Sequence, residues 1–581
     1  MVDSRLRTRA ESWLADDIDE RDAGELRTLL DAARGGDDGA ERELRDRFSG
    51  RVEFGTAGLR ARIGAGPNRM NRAVVRATTA AVADWLACAR QGDCSVVIGC
   101  DARHRSEEFA DEAAAVLAGA GVRVHLLPLP CPTPLLAFAV RHLSARAGIM
   151  ITASHNPEAD NGYKLYLGDG AQIIPPVDAE ISARIERLGP LSRVPVADPD
   201  SPLITRHGDD VAKAYLGAVA ARLAEATGRG PAAFTQPDQT VRPPLTVVYT
   251  PLHGVAGTLM LRAIERARLA VPHIVKAQAE PDEDFPTVAF PNPEEPGVLD
   301  LALKEAVTVG ADLVLASDPD GDRLAVAVPD NETDPDGWRQ LTGDELGALL
   351  GAYLLRSRTP GASGEDQGVP LVATTIVSGT LLKKIAAAAG AEYAETLTGF
   401  KWISRAGDDR PGSDLVLGYE EALGYMIGDT VKDKDGIGAA LAVLAMAAEA
   451  KAAGRTLPAL YDDLEREHGV HLTEQLSLRI GDTRAVMRRI RSAPPAELGG
   501  MAVTGVTDYA RPGTGLPPSD VLRFTLDGAR VVVRPSGTEP KIKSYLEVVQ
   551  PTGRSGLGAA RAAARARLVP LRTSVARLLS P

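Results

Sequence analysis

An apolar run, Ile149-Met150-Ile151, opens into Thr152-Ala153-Ser154-His155-Asn156-Pro157, placing a serine beside a histidine and an asparagine where a strand meets a loop. A hydroxyl in that setting is a candidate acceptor of a phosphoryl or acyl group, although many Ser-His pairs in loops only cap the backbone. Farther along, Asp318-Pro319-Asp320-Gly321-Asp322 sets three carboxylates at alternate positions. A curved loop can converge them on one hard cation, Mg²⁺ first, through oxygen alone. The competing reading is an EF-hand calcium loop. That pattern needs a glutamate about six residues beyond its glycine, and residues 324–328 are an apolar run instead. A phosphate oxygen on a nearby serine would supply a fourth ligand.

Arg534-Pro535-Ser536-Gly537-Thr538 offers a guanidinium, two hydroxyls and backbone N–H groups in one turn. That is a phosphate clamp without a Walker lysine, with a polar hairpin turn as the plain alternative. Arg60 leaves the tight loop Gly55-Thr56-Ala57-Gly58, and its guanidinium fork suits phosphate in the same way. Glu420-Glu421 follows a strand; in a cleft it accepts hydrogen bonds from sugar hydroxyls, and on an open surface it is a solvated charge pair. Together these stretches point to phosphoryl transfer on a phosphorylated polyol. The chain has no GxxxxGK[ST] stretch, which argues against an ATP-dependent kinase of the P-loop kind.

The elements that must hold these loops repeat an α/β pattern. Residues 95–99 read as a buried strand, 106–119 as a helix and 122–127 as a second strand, and a helix over about 134–142 leads into the strand that delivers Ser154. Ligands of open α/β sheets bind at the carboxyl ends of strands, where Ser154 stands. The pattern restarts with strand 245–249, helix 257–268, short strand 273–276, helix 299–309 and strand 312–316, which runs into the aspartate loop. It appears again as helix 345–355, strand 371–375, helix 381–389 and strand 415–418, followed by an alanine-rich helix reaching about 451. Residues 226–244 read as a linker and 359–368 as a disordered-looking insertion. Strands over 476–480, 521–526, 530–533 and 541–549 suggest an antiparallel sheet. Residues 559–579 suggest a terminal amphipathic helix kinked or broken near Pro570. The expected fold is α/β: three related α/β domains with mixed sheets plus a C-terminal α+β domain, arranged around a central cleft. The expected boundaries are 1–50 for a charged helical extension, then 51–225, 245–335, 340–465 and 470–581.

At 581 residues the chain exceeds one ordinary core. Its 44% hydrophobic and 25% charged residues describe a soluble globular protein, and a net charge of −12 argues against general nucleic-acid binding. Cys88, Cys94, Cys100 and Cys131 have no CxxC spacing, so buried thiols in a reducing compartment are expected rather than disulfides. The charged N-terminus lacks the apolar centre of a signal peptide, and the most apolar run, 439–447, is too short for a bilayer. A cytoplasmic protein without membrane or nucleic-acid partners is expected.

Four of these motifs, in this order, resemble the α-D-phosphohexomutase superfamily, the phosphoglucomutases and phosphomannomutases. TASHNP at Thr152 to Pro157 resembles the phosphoserine loop, and DPDGDR at Asp318 to Arg323 the metal loop. GYEEALGY at Gly418 to Tyr425 resembles the sugar-binding loop, and RPSGTEP at Arg534 to Pro540 the phosphate-binding loop. The resemblance covers about 54–549. FGTAGLR, NGYK, YTPLHGVAG, FPNPEEPG and TGFKWI are similar to a branch with phosphoglucomutase-2-like enzymes and bacterial phospho-sugar mutases, some of which prefer pentose phosphates. The sugar loop departs from many members: Glu420-Glu421-Ala422 stands for Glu-x-Ser-Gly, and Phe400-Lys401 follows Gly399 where other branches have histidine.

The resemblance implies an isomerase of carbohydrate metabolism in which Ser154 rests as phosphoserine. It gives its phosphoryl group to the free hydroxyl of a glucose or mannose phosphate. The resulting bisphosphate turns in the cleft and returns its other phosphate, so that positions 1 and 6 exchange. The resemblance also implies Mg²⁺ held by Ser154, Asp318, Asp320 and Asp322, with catalytic amounts of a sugar bisphosphate as activator. Lys164 takes the place of the general acid/base, His155, Arg60 and Arg323 border the centre, and Glu420, Lys401, Arg534, Ser536, Gly537 and Thr538 meet the substrate. Lys164 can work as a base only if its pKa falls from about 10.4 toward neutrality, and Arg60 and Arg323 are the cations expected to lower it. The partners implied are small sugar phosphates, and the chain a monomer or dimer. A phosphopentomutase or a hexose-bisphosphate synthase is the alternative within enzymes, and a binding pseudoenzyme the alternative outside them.

Overall fold

The computed structural model describes residues 4–55, 58–88, 94–228, 245–330, 337–356, 368–536 and 541–580. Helices Ser4–Asp16, Glu20–Arg34 and Asp38–Arg47 come first. Asp19 and Asp37 start the second and third by accepting backbone N–H groups of the opening turn. Their apolar stripes close over Leu6, Leu26, Leu30, Leu44 and Phe48.

The first large sheet runs in the spatial order Leu59–Arg62, Asp160–Leu167, Ala147–Ile151, Ser95–Cys100, Arg123–Leu126, Ile204–Arg206. The last four strands are parallel, and Asp160–Leu167 lies antiparallel to its neighbours on both sides. Every residue of Ser95–Cys100 and Ala147–Ile151 is buried, as parallel strands covered on both faces must be. Alternate residues feed separate cores: Val96 and Ile98 pack with helix Ser106–Gly119, Val97 with helix Thr133–His142.

A second sheet orders Trp338–Gln340, Leu324–Pro329, Leu313–Ser317, Val247–Thr250 and His273–Ile274, and a third Glu392–Thr396, Val369–Thr375, Ser413–Glu420 and Gly424–Ile427. Both mix parallel and antiparallel pairs. Helix Gly436–Ala452 is buried along most of its length in a core that takes residues from the first three sheets. The fourth sheet, from Val470–Arg479 to Glu497–Leu498, is antiparallel throughout and is covered by helices Thr483–Ser492 and Leu557–Leu579. The fold is therefore α/β with an antiparallel C-terminal unit. Among the described residues no single helix is long and apolar enough to cross a membrane, and Cys100 and Cys131 are buried free thiols.

The structure corrects the sequence reading in several places. Leu59–Arg62, Asp160–Leu167 and Met501–Asp508 are strands that the sequence reading lacks. Pro570 does not break the terminal helix, which runs from Leu557 to Leu579. The proline lies on the exposed side, while Leu568, Leu571, Val575 and Leu579 stay buried against the sheet and hold the helix together across the missing N–H. Of the linker and the insertion, residues 229–244 and 359–367 lie outside the described residues.

Candidate active site

Strand Ala147–Ile151 ends at Thr152, whose hydroxyl donates to Asp101 Oδ2 at 2.5 Å and accepts the N–H of Ser154 at 2.8 Å. Ser154 takes left-handed backbone, φ 55°, which a non-glycine residue adopts where its surroundings impose it. Its Oγ crosses to the second sheet, donates to Asp318 Oδ2 at 2.9 Å, and lies 3.2 Å from His155 Nδ1.

Asp318 follows strand Leu313–Ser317. The loop closes tightly: the N–H of Gly321 donates to the Asp318 carbonyl at 2.9 Å, and that of Arg323 to Asp318 Oδ1 at 3.0 Å. Gly321 has φ 70°, and a Cβ there would come within 2.8 Å of the Ala256 side chain. Carboxylate oxygens of Asp318, Asp320 and Asp322 lie within 4.8 Å of one another, all buried. Thr133 ties this loop to the first sheet: its N–H donates to the Asp320 carbonyl at 2.9 Å and its hydroxyl to Asp320 Oδ2 at 2.7 Å.

Lys164 extends from strand Asp160–Leu167 and is 1% exposed. Its Nζ donates to Asp320 Oδ2 at 2.7 Å and Asp322 Oδ2 at 2.9 Å. Lys434 Nζ approaches Asp322 Oδ2 at 3.2 Å and lies 5.2 Å from the Phe400 ring centroid. Beside it, Asp433 accepts from the Tyr166 hydroxyl and the Gln172 amide, each at 2.7 Å. Arg60 donates to Asn156 Oδ1, and Arg323 to Glu294 Oε2, both at 3.2 Å. The Nε atoms of both arginines are buried without a hydrogen-bond partner.

Burial opposes ionisation of all three aspartates. At Asp320 the Lys164 ammonium outweighs it and keeps the carboxyl below the ordinary range. At Asp322, Lys164, Lys434 and Arg323 do the same more strongly. Asp318 is pushed well up by burial and by the two other carboxylates. Burial depresses Lys164, but Asp320 and Asp322 outweigh it and raise the ammonium above an ordinary lysine. This reverses the expected lowering by Arg60 and Arg323: the carboxylates are in direct contact, and the counteracting pull of Lys434 and Arg60 is smaller. His155 is pushed well below its usual value by burial, then by Arg323 and Arg60. Burial pushes Glu420 up to about 7 against the pull of Lys434.

Asp320 Oδ1 and Asp322 Oδ1 are buried without hydrogen-bond partners. Unsatisfied carboxylate oxygens in an all-oxygen cluster, with a serine hydroxyl at its edge, fit a hard divalent cation.

Glu420 ends strand Ser413–Glu420 and feels Lys434, Arg323 and Asp322. Lys401 lies on the short helix Phe400–Ile403 with Nζ 6.0 Å from the Trp402 ring centroid, and among the described residues no hydrogen bond or ion pair joins it to the triad. Arg534, on strand Ala529–Pro535, donates to Tyr545 Oη at 3.3 Å and has a buried, unpartnered Nε. Ser536 donates its N–H to the Lys541 carbonyl at 2.8 Å, and Gly537 and Thr538 lie outside the described residues. The sequence reading missed Arg103, Lys434 and Lys543. Lys434 is visible in Lys432-Asp433-Lys434-Asp435, but its partner Asp322 belongs to another sheet. Lys543 stands directly across the antiparallel pair from Arg534, two like charges that repel unless an anion joins them.

The models of the phosphoglucomutase/phosphomannomutase family match the chain in order: alpha/beta/alpha domain I over residues 51–190, domain II over 231–331, domain III over 342–467, and the C-terminal domain over 485–555. A protein of Haemophilus influenzae named a probable phosphomannomutase is 40% identical over 488 residues, 82% of this chain and 93% of its own. The phosphopentomutase of Mus musculus is 34% identical over 95% of this chain and 92% of its own. The crystal structure of a phosphoglucomutase/phosphomannomutase family protein from Burkholderia thailandensis superposes with a TM-score of 0.66 over 90% of this chain and 97% of its own, at 20% identity, a likeness of fold. With Ser154 turned onto the aspartate triad between the first two matched domains, and all four domains present in order, this chain belongs to the phosphoglucomutase/phosphomannomutase family of phosphoryl-transferring isomerases.

Proposed function

We propose that the enzyme exchanges a phosphoryl group between positions 1 and 6 of a hexose phosphate, glucose or mannose, through phosphoserine at Ser154 and a sugar bisphosphate. The observation that carries this reading is the Ser154 hydroxyl, 2.9 Å from Asp318 in a buried carboxylate triad that Lys164 also contacts. We take the cleft to lie among the units 51–225, 245–335, 340–465 and 470–581.

A phosphoserine carries about −1.5 to −2 charge. Arg60, Arg323 and Lys164 are the chain's own cations for it, and Arg60 and Arg323 have buried N–H groups without partners. Ser154, Asp318, Asp320 and Asp322 would hold Mg²⁺, which offsets charge on the transferring group when bound. Lys164 exchanges a proton with the attacking and leaving sugar hydroxyls, and its grip on Asp320 and Asp322 has to loosen for its pKa to approach neutrality. His155, kept neutral by burial and the two arginines, lines the nucleophile. Glu420 accepts from sugar hydroxyls, Lys401 borders the sugar, and Arg534, Ser536, Gly537 and Thr538 grip the phosphate that is not reacting. Ser154 is 2% exposed, which keeps water from draining the phosphoenzyme.

A pentose phosphate is the second reading. It is favoured by the 34% identity, along 95% of the chain, to a protein named phosphopentomutase.

A coupled assay on glucose 1-phosphate, mannose 1-phosphate and ribose 1-phosphate, each with Mg²⁺ and a trace of the matching bisphosphate, tests both readings. A hexose leading on kcat/KM supports the first, and ribose leading replaces it with the second. Phosphorylated Ser154 without turnover turns the reading to a bisphosphate synthase. Neither turnover nor phosphoserine removes the mechanism.

A further inference from the structure

Arg103 has no part in the chemistry above, yet it is 3% exposed beside the nucleophile. Its guanidinium gathers four backbone carbonyls of the nucleophile turn. Nη2 donates to Ser154 O at 2.5 Å and Asn156 O at 2.6 Å, and Nη1 to Pro157 O at 2.8 Å and Asp160 O at 3.3 Å. Its Nε lies 3.3 Å from Asp101 Oδ2. Asp101 in turn accepts from the hydroxyls of Thr152 at 2.5 Å and Ser106 at 2.7 Å. One Asp-Arg pair, on the loop after strand Ser95–Cys100, thus ties down both ends of the turn that carries Ser154.

The brace extends in two directions. The Phe285 ring, from the neighbouring domain, has its centroid 5.0 Å from the Arg103 guanidinium carbon. Two residues on, Arg105 takes left-handed backbone, φ 63°, and donates to Asp22 Oδ1 and Asp19 Oδ2, both at 2.7 Å. Asp19 and Asp22 belong to the N-terminal helical extension, which precedes the matched family domains. A planar fork of five N–H groups spans four carbonyls, whereas a lysine presents its donors at a single point.

We propose that Arg103 is a positioning residue for the nucleophile. It fixes the turn over 154–160 so that Ser154 Oγ stays directed at Asp318, and the N-terminal extension, through Asp19 and Asp22 on Arg105, steadies the loop that carries Arg103. The proposal rests on the reading of Ser154 as the phosphoryl carrier.

The test loads Ser154 from a radiolabelled hexose 1,6-bisphosphate. It then follows single-turnover transfer of label to the sugar monophosphate, per labelled site, beside release of label to water. Arg103→Lys is expected to slow transfer per labelled site about 100-fold, since a small misplacement of a reacting atom costs that much. KM should hold and a larger share of label should go to water. The double variant Asp19→Asn/Asp22→Asn should shift the same two readouts in the same direction by less. An arginine that is merely structural would lower the fraction of enzyme that takes label and leave the rate per labelled site unchanged; that result overturns the proposal. If Arg103→Lys does not fold, Phe285→Leu, which removes only the ring over the guanidinium, carries the same readouts and the same expected direction. A wild-type enzyme that takes no label overturns the phosphoserine reading and this role with it. A labelled wild type with unchanged variants overturns the role of Arg103 alone.

Discussion

Lys164 bridges Asp320 and Asp322 from a buried strand position, and in the proposed mechanism that grip loosens before its proton moves. Lys164→Arg keeps the charge and removes a transferable proton, because a guanidinium does not titrate in the working range. The expected result is a fall in kcat of about 10²–10⁴-fold, the usual weight of general acid–base catalysis, with Ser154 still able to take label. Wild-type turnover would remove the role. In the proposed mechanism Asp320→Asn acts on the cation instead. Losing one ligand of a hard-metal site removes part of several kcal/mol of charge stabilisation, so kcat should drop about 100-fold or more, and the Mg²⁺ concentration for half-maximal activity should rise. An Mg²⁺ titration of the variant reads both effects.

At the scale of elements, strand Asp160–Leu167 carries Lys164 and could not be read from the sequence, because Asn161-Gly162 before Tyr163 looks like a turn. The glycine is there for close approach: a Cβ on Gly162 would stand 2.5 Å from the Leu59 carbonyl and 2.6 Å from the Thr152 carbonyl. Gly162→Ala should therefore destabilise the first domain by about 1–3 kcal/mol, the cost of overpacking, and disturb both Arg60 and Ser154; thermal melts and the labelling of Ser154 check it. The terminal helix gives the opposite case. Pro570 sits exposed in its interior, where proline costs about 3 kcal/mol relative to alanine. Pro570→Ala should raise the denaturant midpoint of the C-terminal domain and leave turnover unchanged.

At the scale of the whole molecule, the C-terminal domain is fastened to the third through a buried network. Arg530 donates to Glu547 Oε2 at 2.6 Å and to the Ser378 carbonyl; Glu547 Oε1 accepts from Thr380 N–H at 2.7 Å and lies 2.9 Å from His471 Nδ1. Ser378 also donates to Glu421, beside Glu420, at 3.0 Å. Burial pushes Glu547 up, but Arg530 and His471 outweigh it and hold the carboxyl at about 2, below its ordinary 4.5. The folded protein then binds fewer protons than the unfolded chain. The stabilisation is full above pH 4.5 and is lost as pH falls toward 2. Glu547→Gln strands a buried guanidinium, so it should destabilise the junction by about 3–5 kcal/mol near neutral pH and flatten the acid loss of stability. Denaturant unfolding across that pH range measures it. Arg534 lies on the same strand as Arg530. Arg534→Ala should raise KM strongly while Ser154 remains phosphorylated, and an unchanged KM would exclude it from phosphate binding.

The order of the four loops, the strand–helix alternation around three of them, and the identity of Ser154 and the aspartates as chemical groups are legible in the sequence alone. Those features are local: apolar runs, glycines and alternating carboxylates write them within a few residues. Which of these groups touch is set by how the sheets pack. Ser154 and Asp318, Lys164 and Asp322, Lys434 and Asp322 come from different sheets, and spacing along a chain does not encode how sheets pack. The pKa of Lys164 shows the consequence. The sequence offers arginines that would lower it, but the fold brings two carboxylates into contact and raises it, because at hydrogen-bond distance in a buried site the nearest charge outweighs the rest.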